Sequence, residues 1–174
     1  AGISLHQAPL LIERGIDAPT AALVVATFSL FSGISGLLFG FIVRRIGVRP
    51  SLLVSAMILI GAVLAMQAFA NELQAFLAAA LFGIALGGIF TILPVAWADF
   101  FGRESYGAIR GIALSIQVVA QASGPLISGL LRDATGNYAT GLYTYAGFAI
   151  AAFVVAVFLQ HPTQQTGQQS DENA

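Results

Sequence analysis

The charged residues of this chain sit in short clusters, and the apolar stretches between the clusters decide what it can fold into. Charges fall at Glu13, Arg14 and Asp17, at Arg44, Arg45 and Arg49, and at Glu72. They recur at Asp99, Arg103, Glu104 and Arg110, at Arg132 and Asp133, and at Asp171 and Glu172. Between them run five charge-free stretches, 20–43, 51–70, 73–98, 111–131 and 138–159. Each is near the ~20 residues that a bilayer-crossing helix needs. One such stretch could be a buried core helix, but five in succession predict a multi-spanning membrane protein. A helix satisfies its own N–H and C=O groups inside lipid. A membrane β-barrel would show alternating segments of ~10 residues, and runs such as LLVSAMILIGAVLAM do not alternate.

Composition points the same way. Hydrophobic residues make up 57% of the 174 and charged residues only 9%, against roughly 25% charged in ordinary soluble domains. A net charge of -1 offers no basic field for nucleic acid. All seven cations are arginine and there is no cysteine, so disulfides, thiolate metal sites and cysteine nucleophiles are excluded together. No cofactor or metal site is expected.

Arginine alone must then set orientation. Loop 44–50 carries three arginines and segment 99–110 two, whereas Arg14 and Arg132 each lie beside an acid. The positive-inside rule places loops 44–50 and 99–110 in the cytoplasm and the turns near 71 and 132–137 outside, with a cytoplasmic C-terminus. Trp97 and Tyr138 fall where interfacial aromatics belong. Residues 1–12 are apolar but too short to span. They are expected to be the end of a truncated helix, which would make the chain a fragment. The Gln-rich stretch 161–174 cannot pack a core and is expected to be a disordered cytoplasmic tail.

Two segments repeat. SGLLFGFIVRRIGV (35–48) and SGPLISGLLRDATG (123–136) both open with Ser-Gly and carry Arg nine residues after that Ser, at Arg44 and Arg132. A shift of one residue aligns Gly40 and Gly47 with Gly129 and Gly136. The two spans are three helices apart, so they run in opposite directions, the pattern of an inverted-topology repeat common in transporters.

At these residues the sequence resembles the major facilitator superfamily, in its C-terminal half from the end of the seventh helix through the twelfth. Gly40, Arg45, Gly47 and Arg49 match the Gly-x3-Asp-Arg-x-Gly-x-Arg loop of that family, with Arg44 standing where the acid is expected. Gly124, Pro125, Gly129, Asp133, Gly136 and Tyr138 are similar to a stretch of monocarboxylate-transporter-like and oxalate/formate-antiporter-like members, and HQAPLLIERGI (6–16) resembles the end of their seventh helix. The resemblance implies an all-α membrane protein: about five transmembrane helices plus a truncated sixth, forming half of a major-facilitator fold. It implies secondary active transport of a small solute, a monocarboxylate or related organic anion, by alternating access in the plasma (inner) membrane. The expected partners are the lipid bilayer, the solute and a missing N-terminal helical bundle.

Span 111–131 is the most informative for function. Arg110, Gln117, Gln121, Gly124 and Ser128 recur at helical spacing and share a face. Two amides near mid-span, one turn apart, are unfavourable against lipid and should face either a cavity or another helix. The resemblance places this helix on the central cavity, making Gln117, Gln121 and Ser128 substrate-path candidates, with Thr27 and Ser32 weaker ones. Ser29, Gly33, Gly36 and Gly40 form a small-residue stripe suited to close packing, as do Gly83, Gly87 and Gly88. Pro94, like Pro125, should kink its helix, as a static bend or as a gate hinge. Gly40, Arg44, Arg45, Gly47 and Arg49 read as a topology signal, with a gating role added by the resemblance. His6 could titrate in proton coupling or serve as an interfacial histidine. Spans 51–70 and 138–159 are nearly all apolar and expected to be peripheral.

None of the five spans holds an ionisable residue in its interior. If the solute is a carboxylate, its counter-charge must come from elsewhere, or amides and hydroxyls bind it. The alternative function is a small non-transporting membrane scaffold or assembly protein. An intramembrane enzyme would need clustered catalytic groups, and a channel a polar or charged filter; neither is evident.

Overall fold

The computed structural model describes residues 2–101, 106–135 and 139–158, and among these the regular secondary structure is all α-helix, joined by short turns. Six helices follow in order: α1 (Gly2–Glu13), α2 (Ala18–Ile46), α3 (Val48–Ala68), α4 (Glu72–Phe101), α5 (Tyr106–Thr135) and α6 (Ala139–Phe158). The expected tail, Arg103, Glu104, Gly136 and Tyr138 lie outside the described residues. By length and composition α2, α3, α4 and α5 can each cross a membrane, and α6 carries a shorter apolar stretch over Tyr143–Phe158. Helices α2 and α4 extend past the charge-free runs 20–43 and 73–98 by three residues or fewer at either end, and α5 past 111–131 by about one turn at each end.

Local chemistry sets the turns. Gly15 ends α1 at φ 88°. The Gly15 N–H bonds to the Ile12 carbonyl and the Ile16 N–H to the Leu11 carbonyl, each at 3.0 Å, a Schellman closure that needs a left-handed residue. Asp17 then caps α2 by accepting from the Thr20 N–H at 3.1 Å. Gly47, at φ 85°, is the single residue between α2 and α3, so backbone sterics call for glycine at this turn. Before α4, Asn71 Oδ1 accepts from the Gln74 N–H at 2.9 Å, while Gln74 Oε1 accepts from the Ala70 N–H at 2.7 Å. This reciprocal pair is a variant of the capping box.

Helix α4 is the axis of the bundle. Half of its most apolar window is buried, against 33% for α3, 17% for α2 and 6% for α5. On one side it packs against α2 and on the other against α3. Leu11, Ile16, Ala21, Val24, Ala75 and Ala79 form the core at the end of the bundle that holds the α1–α2 turn. Phe39, Val43, Val48, Ile92 and Ala96 form it at the opposite end. Between them Leu10, Ala62, Val63, Met66, Ala78, Phe82 and Ala146 join α1, α3, α4 and α6. Helix α3, which covers the run 51–70, is thus more enclosed than α2, and α5, the most polar span, is the least covered.

Within lipid, helices associate through close packing and interhelical hydrogen bonds rather than the hydrophobic effect. The α2–α4 crossing shows both. A Cβ on Gly83 would overlap the Phe28 carbonyl, and one on Gly87 would overlap the Ser32 carbonyl. Beside them Ser35 Oγ donates to the Ile84 carbonyl at 2.6 Å, and Thr91 Oγ1 lies 3.2 Å from the Gly36 carbonyl. Gly88 faces α3 and Phe39 instead. The expected stripe on α2 is divided. Gly36 and, more loosely, Gly40 meet Thr91, whereas Gly33 has open space around it and Ser29 is exposed.

Candidate functional site

The polar side chains of the spans divide into those that satisfy themselves and those that do not. The hydroxyls of Thr27, Ser29, Ser115, Ser123 and Thr144 each bond to a carbonyl one turn back on their own helix, which lets a hydroxyl sit against lipid at little cost. An amide has no such local outlet. Gln117 is half-buried and Gln121 exposed, and neither amide has a hydrogen-bond partner among the described residues.

Gln117 lines a cleft of about 200 Å³ between α4 and α5. Phe90, Leu93, Pro94 and Trp97 form its α4 wall, and Arg110, Leu114 and Gln117 its α5 wall. Arg110 and Trp97 stand at the end where the two helices connect. Gln117 and Phe90 lie about two turns deeper, roughly 10 Å along the axis. The Arg110 guanidinium donates to the Tyr106 hydroxyl at 2.8 Å and lies over that ring. No carboxylate pairs with it among the described residues.

The other sequence candidates fall in different places. Gln121 continues the α5 face beyond the cleft. Ser128 is 4% exposed, turned toward α6 where a Cβ on Gly141 would touch its Oγ. Ser32 lies at the α2–α4 crossing, and Thr27 bonds to the Leu23 carbonyl at 2.9 Å. Pro94 and Pro125 lie within unbroken helices. Pro125 deprives the Gln121 carbonyl of its usual donor. About one turn further along α5, the Gly124 carbonyl accepts from Tyr145 Oη at 2.6 Å, and the Pro125 carbonyl lies 3.3 Å from His6 Nε2. Arg44 and Arg45 are exposed in the last turn of α2. Arg49 instead reaches α6, donating to the Val157 carbonyl at 2.6 Å.

Two residues escaped the sequence reading. Gln7 on α1 is fully buried with neither amide atom partnered; only its glutamine identity within an apolar run signalled it. Arg14, read as a topology charge, donates to the Met66 and Gln67 carbonyls at 3.2 and 3.0 Å and covers the Phe69 ring at 4.6 Å. It thereby caps the C-terminus of α3. Among the described residues no three His, Asp or Glu side chains come together as metal ligands.

The chain is similar to the human monocarboxylate transporter 7, with 31% identity over 140 residues, 78% of this chain and 27% of the relative. The chain therefore spans about a quarter of that protein's length. The sequence model of the Major Facilitator Superfamily matches residues 2–174. All-helical in its regular structure among the described residues, with four helices long and apolar enough to cross a membrane and a family match along nearly its whole length, the chain belongs to the Major Facilitator Superfamily.

Proposed function

We propose that this chain contributes half of the site of a secondary transporter that moves a small solute, a monocarboxylate or related organic anion, by alternating access. The observation that carries the reading is the inverse relation between polarity and cover on α5. This helix holds both unpartnered mid-span amides and is the least enclosed of the long helices, with 6% of its apolar window buried. In lipid an exposed, unpaired amide is unfavourable, whereas facing a water-filled path it is solvated and available to a solute. A second helical bundle of the same protein opposite α5 would complete that path, as alternating access between two bundles requires.

The human relative's name supports a monocarboxylate as the solute. The arginine bias supports a plasma (inner) membrane orientation with loops 44–50 and 99–110 and the C-terminus in the cytoplasm. Uptake of radiolabelled short-chain monocarboxylates by cells expressing the complete protein tests the reading. Gln117→Leu with Gln121→Leu is expected to abolish uptake while leaving membrane insertion intact. Unchanged uptake kinetics in that double variant would remove these amides from the path.

A further inference from the structure

The spans hold no ionisable residue in their interior, yet the α4–α5 cleft opens onto a guanidinium. Arg110 uses one of its five N–H donors on Tyr106 and has no carboxylate partner among the described residues. Asp99, two residues beyond Trp97, is exposed and is not part of the cleft lining. Deeper in the cleft, the Gln117 amide is unpartnered too. Between these two polar ends the walls are Phe90, Leu93, Leu114 and Trp97. A volume of about 200 Å³ is below the ~300 Å³ at which pockets for drug-sized molecules begin. The cleft therefore suits a molecule of a few carbons, anionic at one end.

From these features we propose that the α4–α5 cleft is an anion-binding vestibule. Arg110 takes the carboxylate of a small organic anion, the α4 aromatics and leucines enclose its apolar body, and Gln117 meets any second oxygen. This rests on the transport reading and deepens it by naming the residue that supplies the counter-charge. A guanidinium presents paired N–H groups that match a carboxylate's two oxygens. The low-dielectric walls strengthen that contact relative to water. An anionic lipid headgroup offers the same chemistry to an arginine near the membrane boundary, so the test separates the two sources.

Trp97 is the only tryptophan of the 174 residues and lines the cleft, so its fluorescence reports occupancy, with Trp97→Phe identifying its signal. The full chain in a neutral detergent is titrated with butyrate and, separately, with uncharged butyramide. The expected result is a saturable change with butyrate and none with butyramide. Arg110→Gln should weaken the response roughly tenfold, the loss of one charge-assisted contact, while Arg110→Lys keeps most of it. Equal responses to butyrate and butyramide, or wild-type affinity in Arg110→Gln, would overturn the assignment. So would a spectral change on adding phosphatidylglycerol vesicles that butyrate does not displace, which would give the cleft to lipid. This is an equilibrium measurement, so it stands or fails apart from uptake, on which the Gln117 and Gln121 variants decide.

Discussion

The Tyr145 hydroxyl donates a 2.6 Å hydrogen bond to the Gly124 carbonyl, tying α6 to α5 at the residue before Pro125. Tyr145 from α6 and His6 from α1 hold adjacent carbonyls from two sides. Tyr145→Phe removes one of these donors without changing the ring. It should cost about 1 kcal/mol, read as a lower unfolding temperature in detergent. A variant as stable as the parent would show that this bond does not hold α5.

The glycines of the α2–α4 crossing are distinguishable from the exposed ones by substitution. A methyl on Gly87 meets the Ser32 backbone, which cannot turn aside as a side chain could. Gly87→Ala should therefore destabilise by about 1–3 kcal/mol. Gly33 has nothing within reach of an added Cβ, so Gly33→Ala should stabilise by about 0.5–1 kcal/mol through helix propensity. Unfolding midpoints that move in the same direction for both would contradict the crossing geometry.

Arg49 ties α3 to α6, donating to the Val157 carbonyl in the last described turn of α6. Replacing it with methionine keeps the stem and removes the charge. The loss should be about 0.3–1 kcal/mol and should shrink as salt is raised. Stability measured at low and high ionic strength checks this, and a salt-independent loss would point to packing instead.

Asp17 gives the α1–α2 turn a pH dependence. Hydrogen bonds from the Thr20 side chain and then its backbone N–H lower the carboxyl below its ordinary value of 3.8. A depressed folded value means that the cap's contribution is complete above 3.8 and is lost as pH falls through the lowered value. The parent and Asp17→Ala should therefore differ in unfolding temperature at neutral pH and converge in acid. A difference that stays the same from neutral pH into strong acid would assign the effect to something other than the charged cap.

How far the site was legible depends on which interactions are local. Gln117 stood out because an amide in a charge-free span is costly and a 3.6-residue period puts it in line with Arg110 and Gln121. Its cleft did not, because Trp97, Leu93 and Phe90 become its opposite wall only once α5 folds back along α4. Ser128 obeyed the same period as Gln117, yet it is buried toward α6, since neighbours can change along one helical face. Ser35 and Thr91 looked unremarkable because hydroxyls in helices usually bond to their own carbonyls. Nothing local marks the pair that reaches across.

What the sequence determined by itself is the set of helices and their turns. Charge-free length dictates which segments can lie in a bilayer, and Gly15, Asp17 and Gly47 specify the turns through φ and capping, all effects within a few residues. What only the tertiary structure decided is which faces meet. It rotated the α2 contact row from the expected glycine stripe onto Phe28, Ser32, Ser35 and Gly36, and it sent Arg14 and Arg49 to the ends of α3 and α6. Lipid-phase packing depends on how closely two backbones approach and on which carbonyls lie within reach, and both are properties of helix pairs.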